Sequence, residues 1–365
     1  MSPAASRDAR PRPTRNSRTT DGELVAMDPD ATTPTVSVLT AAHGTASYLA
    51  EMIDSVRAQT DPDWELIIVD DGDSDEVARI VDHRSDPRVR LVRAEYRGLG
   101  PAVDVAAGRA RGRYYAVVHG DDRLEPTFCE RTRAVLDAHP GIDVVCIDGY
   151  PFLDDGTRQE PGFRARSGGT IEPGFDHRVD IVELARGSAL YYTALIRAEA
   201  WKIGGGFTCD TPKVEDLAMF LRMLAAGCDI RVLPEQLAGY RLHADTAVGV
   251  RFDEEEYEDS ELRAYAEVPR LTQDPRVLRE VDARLRRLRY QRAMRKARTA
   301  LGDSDTTAAR RHVRDALQQR RTRKASLIFL VLRTAPGTLR ATQSVRSRAR
   351  GVAKLVKQRA ATPEG

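Results

Sequence analysis

Paired carboxylates occur at three places in the sequence where their types and spacing suit catalysis. The segments are Asp70-Asp71-Gly72, His119-Gly120-Asp121-Asp122 and Glu215-Asp216. His243 is a further residue that could bind a metal or carry a proton. Carboxylate oxygens are the ligands that Mg²⁺ and Mn²⁺ prefer, and a metal held this way neutralises a departing diphosphate. A carboxylate can also act as a general base that takes a proton from a hydroxyl group. The pattern therefore favours metal-assisted transfer chemistry.

Each of these segments also has a structural interpretation. Asp121-Asp122 can cap the helix expected after Glu125-Pro126, and Asp70-Asp71 can form an ordinary turn. Glu215-Asp216 suits the first turn of a helix, because the helix dipole favours negative charge there. An isolated histidine such as His243 is more often structural. The residue types alone leave both interpretations open.

Apolar segments that alternate with helical patterns precede the first two acidic segments. The predicted strands cover residues 35–40, 64–69, 88–93, 114–118 and 142–147. Strands that alternate with helices indicate βαβ units and a parallel sheet. Because right-handed crossovers bring the carboxyl ends of such strands to one edge, we expect both acidic segments to converge there.

The rest of the chain divides into regions of different composition. Gly, Pro and Asp are frequent over 148–192, which predicts loops with short strands, and charged helical patterns follow residue 253. The first residues are rich in Pro, Ser, Thr and Arg, which is typical of disorder. We predict three regions: a disordered segment at 1–33, an α/β domain at 34–250 and a basic helical extension at 251–365.

The bulk composition excludes several classes of protein. With 365 residues and 41% apolar content, the chain can bury a sizeable core. Its four cysteines lack CxxC spacing, which argues against a zinc site and a disulfide framework. No apolar segment suggests a signal peptide, and no run approaches the ~18 apolar residues of a membrane span. We therefore expect a cytoplasmic enzyme.

Charge is distributed unevenly along the chain. Residues 276–365 hold 25 Lys and Arg against six Asp and Glu, a net charge of +19, whereas residues 1–275 carry −17. Eight basic residues lie over 284–298 in a helical pattern, and apolar segments follow at 326–332 and 352–356. Basic amphipathic helices bind anionic membranes, so peripheral attachment to a membrane is one interpretation. A solvated helix or an intramolecular acidic partner is the other, and the scarcity of aromatic residues argues against nucleic acid.

The order and spacing of the motifs over residues 35–245 resemble the family 2 glycosyltransferases, which have the GT-A fold. The matching segments are Val36-Ser37-Val38-Leu39, Tyr48-Leu49, Trp64-Glu65-Leu66-Ile67-Ile68-Val69-Asp70-Asp71-Gly72, Asp86-Pro87-Arg88-Val89, Arg97-Gly98-Leu99, Asp121-Asp122, Gly204-Gly205-Gly206-Phe207, Glu215-Asp216-Leu217 and Tyr240-Arg241-Leu242-His243. The resemblance implies a mostly parallel, Rossmann-like sheet flanked by helices. It also implies inverting transfer of a sugar from a nucleotide-diphosphate sugar, a UDP-sugar first, to an acceptor hydroxyl of a glycan or lipid-linked molecule in cell-envelope polysaccharide or glycolipid synthesis.

The resemblance also implies roles for residues that would bind the donor. Asp71 corresponds to the acid that reads the nucleotide base, with Asp70 beside it. Ala41 and His43 occupy positions that line the base and ribose, and Asp121 contacts the donor as well as the metal.

Metal binding and catalysis are assigned by the same resemblance. Asp121 and Asp122 correspond to the last two acids of a motif that holds Mg²⁺ or Mn²⁺, with Asp122 the better ligand. His243 corresponds to a histidine that joins the metal or the diphosphate. Asp216 corresponds to the catalytic base, and Glu215 to a residue that contacts the acceptor.

Three positions depart from the family pattern. His119 stands where the metal motif usually begins with Asp, so that metal binding would rest on Asp121 and Asp122. His43-Gly44 and Val103-Asp104 replace an aromatic or Asn residue and an Arg-Asn pair. These departures leave open a non-catalytic homologue that binds nucleotide sugars. A nucleotidyltransferase is a further alternative, but residues 41–45 lack the basic residue of its phosphate loop.

Overall fold

The structure is a computed structural model that describes residues 33–70, 72, 75–95, 97–168, 171–208, 210–242 and 253–334. Its strands are β1 (Val36–Ala41), β2 (Trp64–Asp70), β3 (Val89–Arg93), β4 (Tyr114–Val117), β5 (Arg123–Leu124), β6 (Val144–Phe152), β7 (Ala194–Arg197) and β8 (Ile230–Arg241). The strand predicted over 142–147 thus continues to Phe152 as part of β6.

Helices separate most of these strands and also form the end of the described chain. They are α1 (Ala46–Arg57), α2 (Glu76–Arg84), α3 (Leu99–Ala107), α4 (Phe128–Ala138), α5 (Phe163–Arg166), α6 (Ile181–Arg186), α7 (Ala198–Gly204), α8 (Glu215–Ala225), α9 (Glu254–Leu271), α10 (Pro275–Gly302), α11 (Thr306–Gln319) and α12 (Arg323–Thr334). No described helix has the combination of length and apolar character that crossing a membrane requires.

The strands form a mixed sheet in the order β3-β2-β1-β4-β7-β6-β8-β5. The pairs β3-β2, β2-β1 and β1-β4 are parallel, as the βαβ pattern predicts. β6 and β8 also pair parallel, whereas β7 and β5 pair antiparallel with their neighbours, so the prediction of a mostly parallel sheet is confirmed. Because β7 pairs with β4, the segment just before β7 lies beside the end of β4, where the predicted site lies.

The central strands are buried on both faces by helices. Every residue of β1 and β2 is buried, which explains why their sequences are nearly continuous apolar runs. Side chains alternate between the faces: Leu39 and Ile67 join one apolar core, whereas Val38 and Leu66 join the other. The sheet is therefore the middle layer of three, and its carboxyl-terminal edge is left for the loops.

Glu65 is a buried acid inside this apolar layer, with its side chain 1% exposed. Its carboxylate accepts hydrogen bonds from the Ser37 hydroxyl at 2.7 Å, from the Arg111 backbone N–H at 2.7 Å and from the Arg90 guanidinium at 2.9 Å. These donors come from β1, β3 and the loop before β4. Glu65 therefore links β2 to β1, to β3 and to the loop before β4. The candidate site lies at the opposite ends of these strands.

The acidic helix α9 is paired with the basic helix α10. Arg292 contacts Asp259 at 2.5 Å, and Lys296 contacts Glu255 at 2.6 Å. Arg295 and Arg284 of α10 likewise contact acids of α9. Much of the positive charge predicted over 284–298 thus has an intramolecular acidic partner, one of the two interpretations of that segment.

We expect the substitution Glu65→Gln to lower the free energy of unfolding by about 3 kcal/mol, because it leaves buried donors facing an amide. Chemical denaturation followed by circular dichroism measures this change. Glu95→Gln is the control, since Glu95 pairs with Arg97 at a side-chain exposure of 80% and 72%, respectively. The control change should stay within about 0.5 kcal/mol. Equal effects of the two substitutions would contradict the role of Glu65.

Candidate functional site

The candidate site lies at the carboxyl ends of the parallel strands. β1 is central there, because Ala41 is in register with Val69 of β2 and Leu39 is in register with Val117 of β4. The chain leaves β2 at Asp70 and leaves β4 through the turn from His119 to Asp122. The predicted convergence of the two acidic segments at one edge therefore holds for the described residues.

The turn after β4 lies directly against the loop after β1. A Cβ atom at Gly120 would lie 2.2 Å from the Thr45 hydroxyl oxygen and 3.3 Å from the Ala41 carbonyl oxygen. Only glycine permits this close approach. The glycine thus brings the two flanking residues, His119 and Asp121, up to the end of β1.

Asp122 is buried, with 2% exposure, and both of its carboxylate oxygens accept hydrogen bonds. The Tyr192 hydroxyl donates to Oδ2 at 2.5 Å, and the Arg241 backbone N–H donates to Oδ1 at 2.8 Å. Burial, followed by the nearby Asp121 charge, raises the pKa of Asp122 well above its usual value. Asp122 is therefore held in one orientation by donors from two other parts of the chain.

Arg241 closes the site from the end of β8. Its buried guanidinium donates to the Asp121 carbonyl oxygen at 2.8 Å and contacts Glu51. The same group lies 4.6 Å from the ring centroid of Tyr48 and 4.5 Å from that of Phe152. Arg241 is therefore a structural support of the turn, bonded to its backbone as well as to its carboxylate.

His119, Asp121 and Asp122 form a possible metal cluster. One ligand atom from each lies within 4.8 Å of the others. The His119 ring stacks on Tyr192 with centroids 4.1 Å apart, and burial lowers the pKa of His119, which favours the neutral imidazole that binds metals. A carboxylate oxygen with one hydrogen bond keeps a second lone pair, so Asp122 can still bind a cation. The donor set fits a divalent ion, and it includes His119, which the sequence pattern had set aside.

The predicted donor-binding residues lie beside this cluster at the ends of β1 and β2. Ala41 is buried, whereas His43 is exposed on the loop. Asp70 is buried, and its Oδ1 accepts the Gly72 N–H at 3.1 Å. Its Oδ2 is buried without a hydrogen-bond partner among the described residues. Asp71, the predicted base reader, lies outside the described residues.

His243, predicted to join the metal or the diphosphate, also lies outside the described residues. The described chain stops at Leu242 and resumes at Asp253. Its metal role therefore stays a prediction.

Glu215 and Asp216 begin α8, as the sequence predicts, and are separate from the metal cluster. Burial raises the pKa of Glu215 to about 7 and that of Asp216 to about 6. Burial, followed by the charges of Glu261 and Asp216, raises the pKa of Tyr257 on α9. Lys213 precedes α8, and its Nζ lies 3.9 Å from the carboxylate of Glu256 on α9. Burial therefore brings the pKa of both acids towards neutrality, and the start of α8 lies close to the helical extension.

Asp104 stands where the family pattern has Asn, and it holds the glycine-rich loop. Its carboxylate accepts the Phe207 N–H at 2.9 Å, and a Cβ at Gly206 would lie 2.2 Å from it. Arg222 of α8 donates to the Gly206 carbonyl oxygen at 2.8 Å. Val103 is fully buried in the core. Asp104, which departs from the family pattern, therefore stabilises the glycine-rich loop that leads to α8.

Sequence patterns did not identify Tyr192 as a site residue, and they did not reveal the contacts of Arg241. Tyr192 lies in a segment without clear periodicity, and no local signal distinguishes it from the adjacent Tyr191. Arg241 was part of a matching motif, but its bonds to the β4 turn depend on β8 extending to residue 241.

Comparison with known proteins identifies the domain. The sequence profile described as "Glycosyl transferase family 2" matches residues 37–203, which include β1, β2 and the β4 turn. This segment, a little under half of the chain, belongs to this family. Its sheet and flanking helices are those of the GT-A fold.

Several relatives are named for polysaccharide synthesis or sugar transfer. Putative glycosyltransferase EpsH of Bacillus subtilis is 32% identical over 126 residues, which cover 34% of this chain and 36% of that protein. Succinoglycan biosynthesis protein ExoO of Rhizobium meliloti is 35% identical over 123 residues, which cover 32% and 35%. The chain spans little more than a third, or less, of the first curated relatives it matches.

Solved structures of TarS from S. aureus share the fold. The complex of TarS residues 1–349 with UDP superposes with a TM-score of 0.56 at 17% identity, covering 86% of this chain and 92% of that one. The complex with UDP-GlcNAc has the same TM-score at 15% identity and the same coverage. At this identity the likeness concerns the fold.

We expect Tyr192→Phe to lower the free energy of unfolding by about 1–3 kcal/mol, because Asp122 Oδ2 loses its donor while remaining buried. The same variant should bind Mn²⁺ more weakly in calorimetric titrations, because Asp122 loses its donor and the His119 backbone N–H loses its acceptor, the Tyr192 hydroxyl at 3.2 Å. Tyr191→Phe is the matched control: the Tyr191 hydroxyl is buried without a hydrogen-bond partner in the described chain. If the two variants behave alike, Tyr192 does not orient the cluster.

Proposed function

We propose that this protein is an inverting glycosyltransferase that moves a sugar from a UDP-sugar to an acceptor hydroxyl. The observation that carries the proposal is the cluster of His119, Asp121 and Asp122 at the strand edge of a family 2 domain. Such a cluster suits the charge of a diphosphate leaving group. The three regions of the chain are, in this proposal, a preceding segment at 1–33, the transferase domain at 34–250 and an extension at 251–365.

The donor nucleotide would lie over the ends of β1 and β2. The unpaired Asp70 Oδ2 can accept a hydrogen bond from a base or ribose, which would satisfy an otherwise costly buried group. Ala41 and His43 would line this pocket, and Asp71 would read the base. TarS has been solved with UDP and with UDP-GlcNAc, which supports uridine as the first choice.

Asp121 and Asp122 would hold Mg²⁺ or Mn²⁺, with His119 as a third ligand and His243 as a further candidate. The bound ion would supply a positive charge opposite the diphosphate. Tyr192 and Arg241 fix the orientation of Asp122, so that the cluster is formed before the substrate arrives.

Asp216 would act as the general base. Its carboxylate would take the proton of the acceptor hydroxyl while the hydroxyl oxygen forms a bond to the anomeric carbon of the sugar. The bond between that carbon and the diphosphate oxygen would break, and its electron pair would leave with the nucleoside diphosphate. Attack from the opposite side inverts the anomeric centre. Glu215 would contact the acceptor.

The acceptor belongs to the same proposal. Relatives named for succinoglycan biosynthesis support a glycan or lipid-linked acceptor in cell-envelope polysaccharide or glycolipid synthesis. The enzyme would work in the cytoplasm, peripherally at the inner face of the plasma membrane.

Asp216→Asn and Glu215→Gln form a matched pair of adjacent variants. We expect Asp216→Asn to lower kcat by about 10²–10⁴-fold, because the amide cannot take the proton. Glu215→Gln should mainly raise the KM for the acceptor. Steady-state transfer assays measure both, and calorimetry with UDP and Mn²⁺ should find donor binding unchanged in Asp216→Asn.

Asp122→Ala should abolish metal-dependent binding of UDP. Full activity in both Asp122→Ala and Asp216→Asn would overturn the proposal. Binding of UDP without turnover in the wild-type chain would instead favour a non-catalytic homologue, and release of pyrophosphate a nucleotidyltransferase.

Turnover should depend on pH through Asp216, whose pKa burial raises to about 6. The base works only when deprotonated, so kcat should be constant well above this pKa and fall about tenfold per pH unit below it. A pH series from roughly 5 to 8 tests this relation. The residual rate of Asp216→Asn should lack this acidic limb, and a wild-type rate that stays constant down to pH ~5 would exclude Asp216 as the base.

A further inference from the structure

Helix α12 exposes two large apolar side chains at the end of the described chain. Leu327 is 62% exposed and Leu330 is 55% exposed. They are three residues apart on one helix, so they share a face. The opposite face packs on α11 through buried Ala325 and Leu332. The exposed leucines therefore do not serve the core of the helical extension.

Unpaired cations accompany these leucines on α11, on α12 and in the loop between them. The exposed ones are Arg311, Arg314, Arg320, Arg321, Arg323, Lys324 and Arg333. Within the described part of the chain, none of them lies in an ion pair, in contrast to the α10 cations that α9 neutralises. Of the nearby acids, Asp305 caps α11 and Asp315 faces His312. This part of the extension keeps its positive charge.

Two contacts join the cations of α11 to the apolar residues of α12. The Arg314 guanidinium lies 6.0 Å from the Phe329 ring centroid, and Arg310 donates to the Leu332 carbonyl oxygen at 2.8 Å. Leu327, Leu330 and the seven exposed cations form what we call the basic-apolar surface. On α12, Arg323, Lys324 and Arg333 lie three or four residues from one of these leucines, and Arg314 of α11 adds a charge beside Phe329.

We propose that the basic-apolar surface docks on an anionic lipid bilayer. In such a docking, leucines enter the boundary between headgroups and acyl chains, while Lys and Arg contact the lipid phosphates. Residues 335–365 of the sequence add seven Lys and Arg against one Glu, which strengthens the charge complementarity. A second copy of the chain would bring like charges together, and stacking with nucleic acid would require more aromatic residues than this surface has. The inference rests on the proposed membrane location and names the surface responsible for it.

Co-sedimentation of the full-length protein with vesicles tests the docking without any transfer assay. We expect binding to vesicles containing roughly one third phosphatidylglycerol and little binding to pure phosphatidylcholine. Binding should weaken when NaCl is raised from ~0.1 to ~0.5 M, because salt screens the attraction. Equal binding to both lipids, or to neither, would overturn the proposal.

Paired variants separate the apolar contribution from the charged one. Leu327→Ser with Leu330→Ser, and separately Arg323→Gln with Lys324→Gln, should each weaken binding by about tenfold. Ile203→Ser on α7 is the apolar control, since Ile203 is 52% exposed. Arg279→Gln with Arg289→Gln is the charge control, because it removes two positive charges from exposed positions of α10, as Arg323→Gln with Lys324→Gln does on α12.

The proposal fails if the controls weaken vesicle binding as much as the α12 variants do. It also fails if light scattering finds a dimer that the leucine variants dissociate, because the surface would then belong to a second copy. Vesicle binding with no sugar transfer would contradict the proposed function alone, and transfer without vesicle binding would contradict the docking alone.

Discussion

The buried carboxylate of Asp122 is the constraint on which the site depends. A carboxylate removed from water is costly unless donors replace the lost solvent, and here the donors are the Tyr192 hydroxyl and the Arg241 backbone. Meeting that need brings the segment before β7 and the end of β8 to the turn after β4. β7 contributes to this arrangement because its antiparallel pairing with β4 places Tyr192, two residues before β7, against the ring of His119.

Ion pairs hold the helices of the extension against one another and against α8. The acids of α9 pair with cations of α10 on one side, and Glu256 and Glu267 contact Lys213 and Arg222 around α8 on the other. Individual surface pairs contribute little, but a network along two helices fixes their register. Helix α9 is thereby held near Asp216, so the extension takes part in the surroundings of the predicted base. The large opposite charges of the two parts of the sequence are thus partly balanced within the fold.

The sequence predicted what local patterns control. The apolar run ending at Asp70 and the carboxylates opening α8 were visible because strand period and helix-start chemistry are short-range signals. The antiparallel strands, the role of Tyr192 and the support by Arg241 were not visible, because they depend on contacts across about 70 to 120 residues. His119 was treated as a departure, whereas its position beside two acids makes it a possible ligand. The assignments of Asp71 and His243 remain predictions.

The distance along the chain between Asp122 and Arg241 also has a consequence for biosynthesis. The two residues are 119 positions apart, and β8, which ends at Arg241, is the last of the described strands to emerge from the ribosome. Since proteins are made from the amino terminus at about 5–20 residues per second, several seconds pass between the two. During that interval the β1–β4 layer can pair, but Asp122 lacks its backbone donor. The nascent domain can therefore pair its first four parallel strands before the chain that completes the site has been made.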